Sequence, residues 1–106
     1  MATDCPEYQT IVQCTSDLLT AMKPTIHSLS GDLLQAGLIT SDNYGLVTNA
    51  ALDVADRASQ LLSFIRNKIS LDKNNYYIFI HILSRRSTDY REIISILHKK
   101  YMALGE

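Results

Sequence analysis

Apolar side chains recur at intervals of three and four along almost all of this 106-residue chain, the spacing that gathers them on one face of an α-helix. In the first segment Tyr8, Ile11, Val12, Leu18, Leu19 and Met22 lie near one face. The small residues Cys14, Thr15 and Ser16 interrupt it, and a bend is expected there. Pro24 ends the segment, because proline cannot donate the interior hydrogen bond and suits the first turn of a following helix. A second helix over residues 25–36 turns Ile26, Leu29, Leu33 and Leu34 inward, and Gly37 is placed to stop it in a left-handed conformation. Thr40 is the expected cap of a short third helix over 41–49, which has few apolar residues (Tyr44, Leu46, Val47) and is weakened by Gly45. Asp53 is the expected cap of a fourth helix, and Asp56 favours the same N-terminus electrostatically.

In that fourth helix Val54, Ala58, Leu61, Leu62, Ile65 and Ile69 fall within one quadrant, so it is predicted to be the central one. Turn-forming residues in LDKNN then precede a fifth helix over 75–85. Its run YYIFIHIL favours β structure by composition. A lone strand would have no partner in this chain, and Tyr76, Phe79, Ile82 and Leu83 also meet helical spacing, so a helix is predicted. Ser87 to Asp89 offer caps for a sixth helix, with Asp89 and Glu92 spaced as in a capping box. Tyr90, Ile93, Ile94, Leu97 and Tyr101 form its inner face, and Gly105 marks its end. The expected fold is all-α: a six-helix antiparallel bundle over residues 8–103 with a kinked first helix, a short third helix and a flexible N-terminal stretch, 1–7.

Composition changes this picture little. With 46% hydrophobic and 20% charged residues the chain falls outside disordered and fibrous classes. No apolar run approaches the roughly 20 residues of a membrane-spanning helix, and the N-terminus lacks a basic start followed by an apolar segment, so a cytoplasmic location without membrane contact is expected. Cys5 and Cys14 form neither a CxxC pair nor a metal set with a histidine, and are read as reduced thiols. His27, His81 and His98 are scattered over three predicted helices. No cofactor or metal is expected.

Candidate chemistry is equally sparse. The chain has no GxxxxGK[ST] or GxGxxG loop and no GxSxG elbow. DKNNYY begins like a calcium loop but lacks the closing Glu. No enzyme activity is expected. Arg85-Arg86-Ser87-Thr88 has the form of a basophilic kinase site at a helix start.

The order of residues between helices two and four carries more. LLQAGLITSDNYGLV (Leu33 to Val47) followed by DVADRASQLLSFIRNK (Asp53 to Lys68) resembles the caspase-recruitment domain, CARD, of the death-fold superfamily. Gly37, Leu38, Ile39, Thr40, Arg57, Ala58, Leu61 and Leu62 stand at the family's "glycine, apolar, Ile/Leu-Thr" turn and its "Arg-Ala-x-x-Leu-Leu" positions. Phe79 to Leu83 and Tyr90 to Ile93 match its last element. Death domains and death-effector domains share the six-helix layout, although the effector domain's Arg-x-Asp-Leu motif is absent. The resemblance implies a homotypic protein-interaction domain acting as an adaptor in apoptotic or innate-immune signalling, whose partners are other CARD-like domains and which can self-assemble helically.

Charge is unevenly distributed. Residues 1–52 hold five acidic side chains and only Lys23, whereas residues 53–106 hold nine basic and six acidic ones. Opposed patches of this kind support head-to-tail contacts that do not close on themselves. The resemblance implies a contact of the first and fourth helices with the second and third. Arg57 and Lys68, three turns apart with Phe64 between them, and Arg66 on the other flank would form the basic side. Asp32 and Asp42 would form the acidic side. The first helix departs from the family pattern in having Lys23 as its only basic residue, and Arg57 has a second reading as an internal salt bridge. The alternative function is a small helical nucleic-acid binder, against which the isoelectric point near 6.3 and the lack of a basic run interleaved with aromatics both weigh, so no nucleic-acid partner is expected.

Overall fold

A computed structural model describes residues 4–105; the side chains of residues 87–89 are not described. The chain forms α1 (Pro6–Gln13), α2 (Thr15–Met22), a 3-10 turn (Lys23–Thr25), α3 (Ile26–Gln35), α4 (Ser41–Val47), α5 (Val54–Leu71), α6 (Asn74–Arg85) and α7 (Ser87–Leu104). No strand occurs among the described residues, and the segment of high β propensity is helix α6. Tyr76, Phe79, Ile82 and Leu83 are buried on one face of it, so periodicity and burial override composition.

The predicted first helix is two helices broken at Cys14. The Thr15 hydroxyl donates to the carbonyls of Ile11 (3.1 Å) and Val12 (2.8 Å), satisfying acceptors at the break and favouring a bend. Cys14 itself is buried there, and burial, with Asp17 nearby, pushes its thiol pKa up, so the thiol is a core group rather than a reactive one. The helical body starts at Pro6, which suits a first-turn position, and Glu7 is buried; residues 6 and 7 therefore belong to the bundle rather than to a flexible N-terminus.

Gly37 stops α3 as predicted, with φ +81°. Its N–H donates to the Leu34 carbonyl (3.1 Å) and that of Leu38 to the Leu33 carbonyl (3.0 Å), the paired bonds of a Schellman motif. Leu33 and Leu38 are both buried, supplying its hydrophobic contact. Thr40 then caps α4 reciprocally: its hydroxyl accepts from the Asn43 N–H, and the Asn43 side chain accepts from the Thr40 N–H, both at 3.1 Å. Asp53 holds the cap position of α5, but its side chain makes no capping hydrogen bond. At the start of α7 the cap position falls on Arg86, and the capping roles expected of Ser87 to Asp89 lie outside the described side chains.

Helix α5 packs on α1, α2, α3, α4 and α6, the central position expected of it. Its buried residues Ala58, Leu61, Leu62, Ile65 and Ile69 join Ile11, Leu18, Leu29, Leu33, Phe79 and Leu97 in one core. Helix α7 closes the bundle against α1, α2 and α6. Tyr90 ties it to the 3-10 turn through a hydrogen bond between its hydroxyl and that of Thr25. The radius of gyration, 12.8 Å, is that of a folded domain of this length.

Candidate interaction surface

The basic residues expected to act together start from α5. Arg57, Phe64 and Lys68 share one flank of the helix because seven and eleven residues correspond to about two and three turns. All three are half-buried, and Phe64 packs against the core. Arg66 is half-buried on the opposite flank. The structure thus brings Arg57, Phe64 and Lys68 into one stripe and leaves Arg66 out of it.

Arg57 carries an unsatisfied donor. Its Nε is buried and has no hydrogen-bond partner among the described residues. No described carboxylate forms a salt bridge with it.

On the acidic side the two predicted residues differ. Asp42, in the first turn of α4, is exposed. Asp32 is engaged within the molecule: its Oδ2 accepts from Arg86 Nε at 2.8 Å, and the Arg86 guanidinium also donates to Ser28 Oγ. Arg86, from the junction of α6 and α7, therefore fastens that end of the bundle to α3. The pairing spans 54 positions in the chain, so nothing in local sequence announced it.

Glu7 is a second residue whose role sequence alone missed. Counted among the five acidic side chains of residues 1–52, it is 4% exposed, and its Oε2 accepts from the hydroxyls of Tyr77 and, at 3.3 Å, Tyr101. The two hydroxyls also lie within 2.9 Å of each other, and Tyr101 stacks on Tyr76 with ring centroids 5.4 Å apart. Burial raises the Glu7 pKa, but hydrogen bonds from Tyr77, the backbone and Cys5, with attraction to Lys73, outweigh it and hold the group below its ordinary value. The same bond to Glu7, helped by Tyr101, pushes the Tyr77 pKa up. Burial does so for Tyr76. This cluster pins α1 to α6 and α7.

Among the described residues no group of three or more His, Cys, Asp or Glu could hold a metal ion, and no helix is long and apolar enough to cross a membrane. No family model matches the chain, and no curated protein or solved structure matches it.

Proposed function

We propose that this chain is a homotypic interaction module of the caspase-recruitment type, an adaptor that joins CARD-like partners in apoptotic or innate-immune signalling. The observation that carries the reading is the Arg57–Phe64–Lys68 stripe on α5, in which one cation has a buried donor with no described partner. It supports an interface role because the half-buried Arg57 and Lys68 flank Phe64 on one side of α5, a cationic stripe with an apolar centre that carboxylates of a second molecule can meet. Asp42 is the exposed carboxylate available to meet it, with Asp32 reaching outward only as far as its bond to Arg86 allows. The two surfaces differ, so each copy can use one patch on each neighbour and the contact propagates rather than closing.

Size-exclusion chromatography and negative-stain microscopy across protein concentrations test this. Assemblies that grow with concentration and weaken with added salt are expected, since exposed charges are screened over about 8 Å at physiological ionic strength. A chain that stays monomeric at every concentration, alone and with CARD-containing partners, or that instead binds DNA or RNA in a salt-sensitive way, would overturn the reading.

A further inference from the structure

Ser28 and Asp32 stand one turn apart on α3, and a single side chain holds both. Arg86 Nε donates to Asp32 Oδ2 at 2.8 Å, and the same guanidinium donates to Ser28 Oγ. A planar fork that reaches two groups on one helix face fixes direction as well as distance. The Arg86 backbone is held too: its N–H donates to the Leu83 carbonyl (3.0 Å) at the end of α6, and its carbonyl accepts from the Tyr90 N–H (3.2 Å) in α7. The cation is thus delivered to α3 from a bonded corner between two helices.

The carboxylate it holds is not hidden. The Asp32 side chain keeps 45% of its surface exposed, against 20% for Arg86. Asp32 borders a depression of about 250 Å³ between α3 and α6, whose wall also contains His81 and Arg85, both exposed. Among the residues lining that depression Asp32 is the only acid. A cation arriving from a second molecule would have to displace Arg86 from the carboxylate while meeting Arg85 in the same wall, and like charges brought together at an interface are unfavourable.

We propose that Arg86 is an autoinhibitory group of the assembly surface: by neutralising Asp32 within the molecule, it withholds that carboxylate from the basic stripe of a second copy. The inference rests on the head-to-tail reading above and adds to it a brake within each chain. Asp42, exposed in the first turn of α4, carries the contact while the brake is on. Removing the Arg86 charge turns Asp32 into a second attachment point without adding any residue to the surface. The sign of the effect separates this role from a structural one. An ion pair needed only for the fold makes loss of either partner harmful, whereas a competitor makes loss of Arg86 favourable to association only while Asp32 is present.

Sedimentation velocity of the whole chain across protein concentrations tests this as a double-mutant cycle. Arg86→Met should lower the concentration at half-assembly about two- to fivefold, the range of one exposed ion pair, and added salt should erase the gain. Asp32→Asn alone should shift it less than about twofold, and Arg86→Met combined with Asp32→Asn should return it to the wild-type value. Ser28→Ala, at an exposed position, loosens the fork without changing charge and should shift assembly in the same direction as Arg86→Met. It decides the matter if Arg86→Met loses the wild-type circular dichroism. Folded variants of Arg86 and Ser28 that assemble no better than the wild type, or a gain that survives Asp32→Asn, would overturn the proposal and leave the assembly reading in place. Wild type and Arg86→Met both monomeric at every concentration would overturn both readings, and assembly of Arg86→Met alone would support both.

Discussion

Leu62 is 1% exposed on the inner face of α5, within the cluster that joins the helices. Leu62→Ala should therefore cost about 2–5 kcal/mol in chemical denaturation, the range for truncating a filled core site. A loss under about 0.5 kcal/mol is what a surface position would show. Glu7 makes a different prediction, because its folded-state pKa is lowered. Its contribution to stability is fully present above the ordinary carboxylate range and is lost as pH falls below that range through the lower folded value. Thermal melts from pH 7 to pH 2 should show this acid loss in the wild type and a shallower one in Glu7→Gln. Equal slopes would mean that the carboxylate is not held in its charged form by Tyr77 and Tyr101. Arg57 reverses the usual expectation for a charged residue. Since its buried Nε lacks a described partner, Arg57→Met should leave stability within about 0.5 kcal/mol or raise it, while weakening association.

At the scale of elements, the ends of the helices decide where the chain turns. Gly37 adopts φ +81°, open to glycine at no steric cost, and the two hydrogen bonds of the Schellman motif depend on it. Gly37→Ala should destabilise the bundle by about 1 kcal/mol even though a methyl group there would meet no neighbour within 4 Å. The cost is conformational, so Gly37→Asn should recover part of it. These stops were legible in sequence because each depends on neighbours a few residues away: Gly37 closes on Leu33 and Leu34, and Thr40 on Asn43. Asp53 shows where local reasoning fell short. It has the right residue type at the right position, but its side chain makes no capping bond.

For the whole molecule, the arrangement of charge gives the sharpest test of the proposed assembly. Lys68→Glu and Asp42→Lys should each weaken self-association without unfolding the bundle, since Asp42 is exposed and Lys68 only half-buried. Each variant keeps one intact patch. A mixture of the two should therefore recover growth, because the native Asp42–Lys68 contact and the reversed contact, between the Glu of Lys68→Glu and the Lys of Asp42→Lys, alternate along a mixed assembly. Rim pairs are worth under about 1 kcal/mol, whereas like charges pressed together in an interface cost several, so either variant alone should lose more association than removal of the pair would cost. Analytical ultracentrifugation distinguishes the outcomes, and a mixture that assembles no better than either variant alone would exclude a contact between these patches.

What the sequence determined by itself was whatever depends on short separations along the chain: helical periodicity, the break at Cys14, the stop at Gly37, the cap at Thr40 and the apolar face of α5 that marks it as the central helix. Each follows from side chains within about two turns of one another, where backbone geometry fixes who meets whom. Which charges remain available was decided only in three dimensions. Glu7 and Tyr101 are 94 positions apart, and Asp32 and Arg86 are 54 apart, yet each pair is joined by a hydrogen bond. Those bonds take Glu7 into the interior and commit Asp32 internally, while Arg57, whose residue type invited an internal partner, has a buried donor with none among the described residues. A formal charge can be counted from sequence, but its exposure and its partner depend on which helices the core draws together.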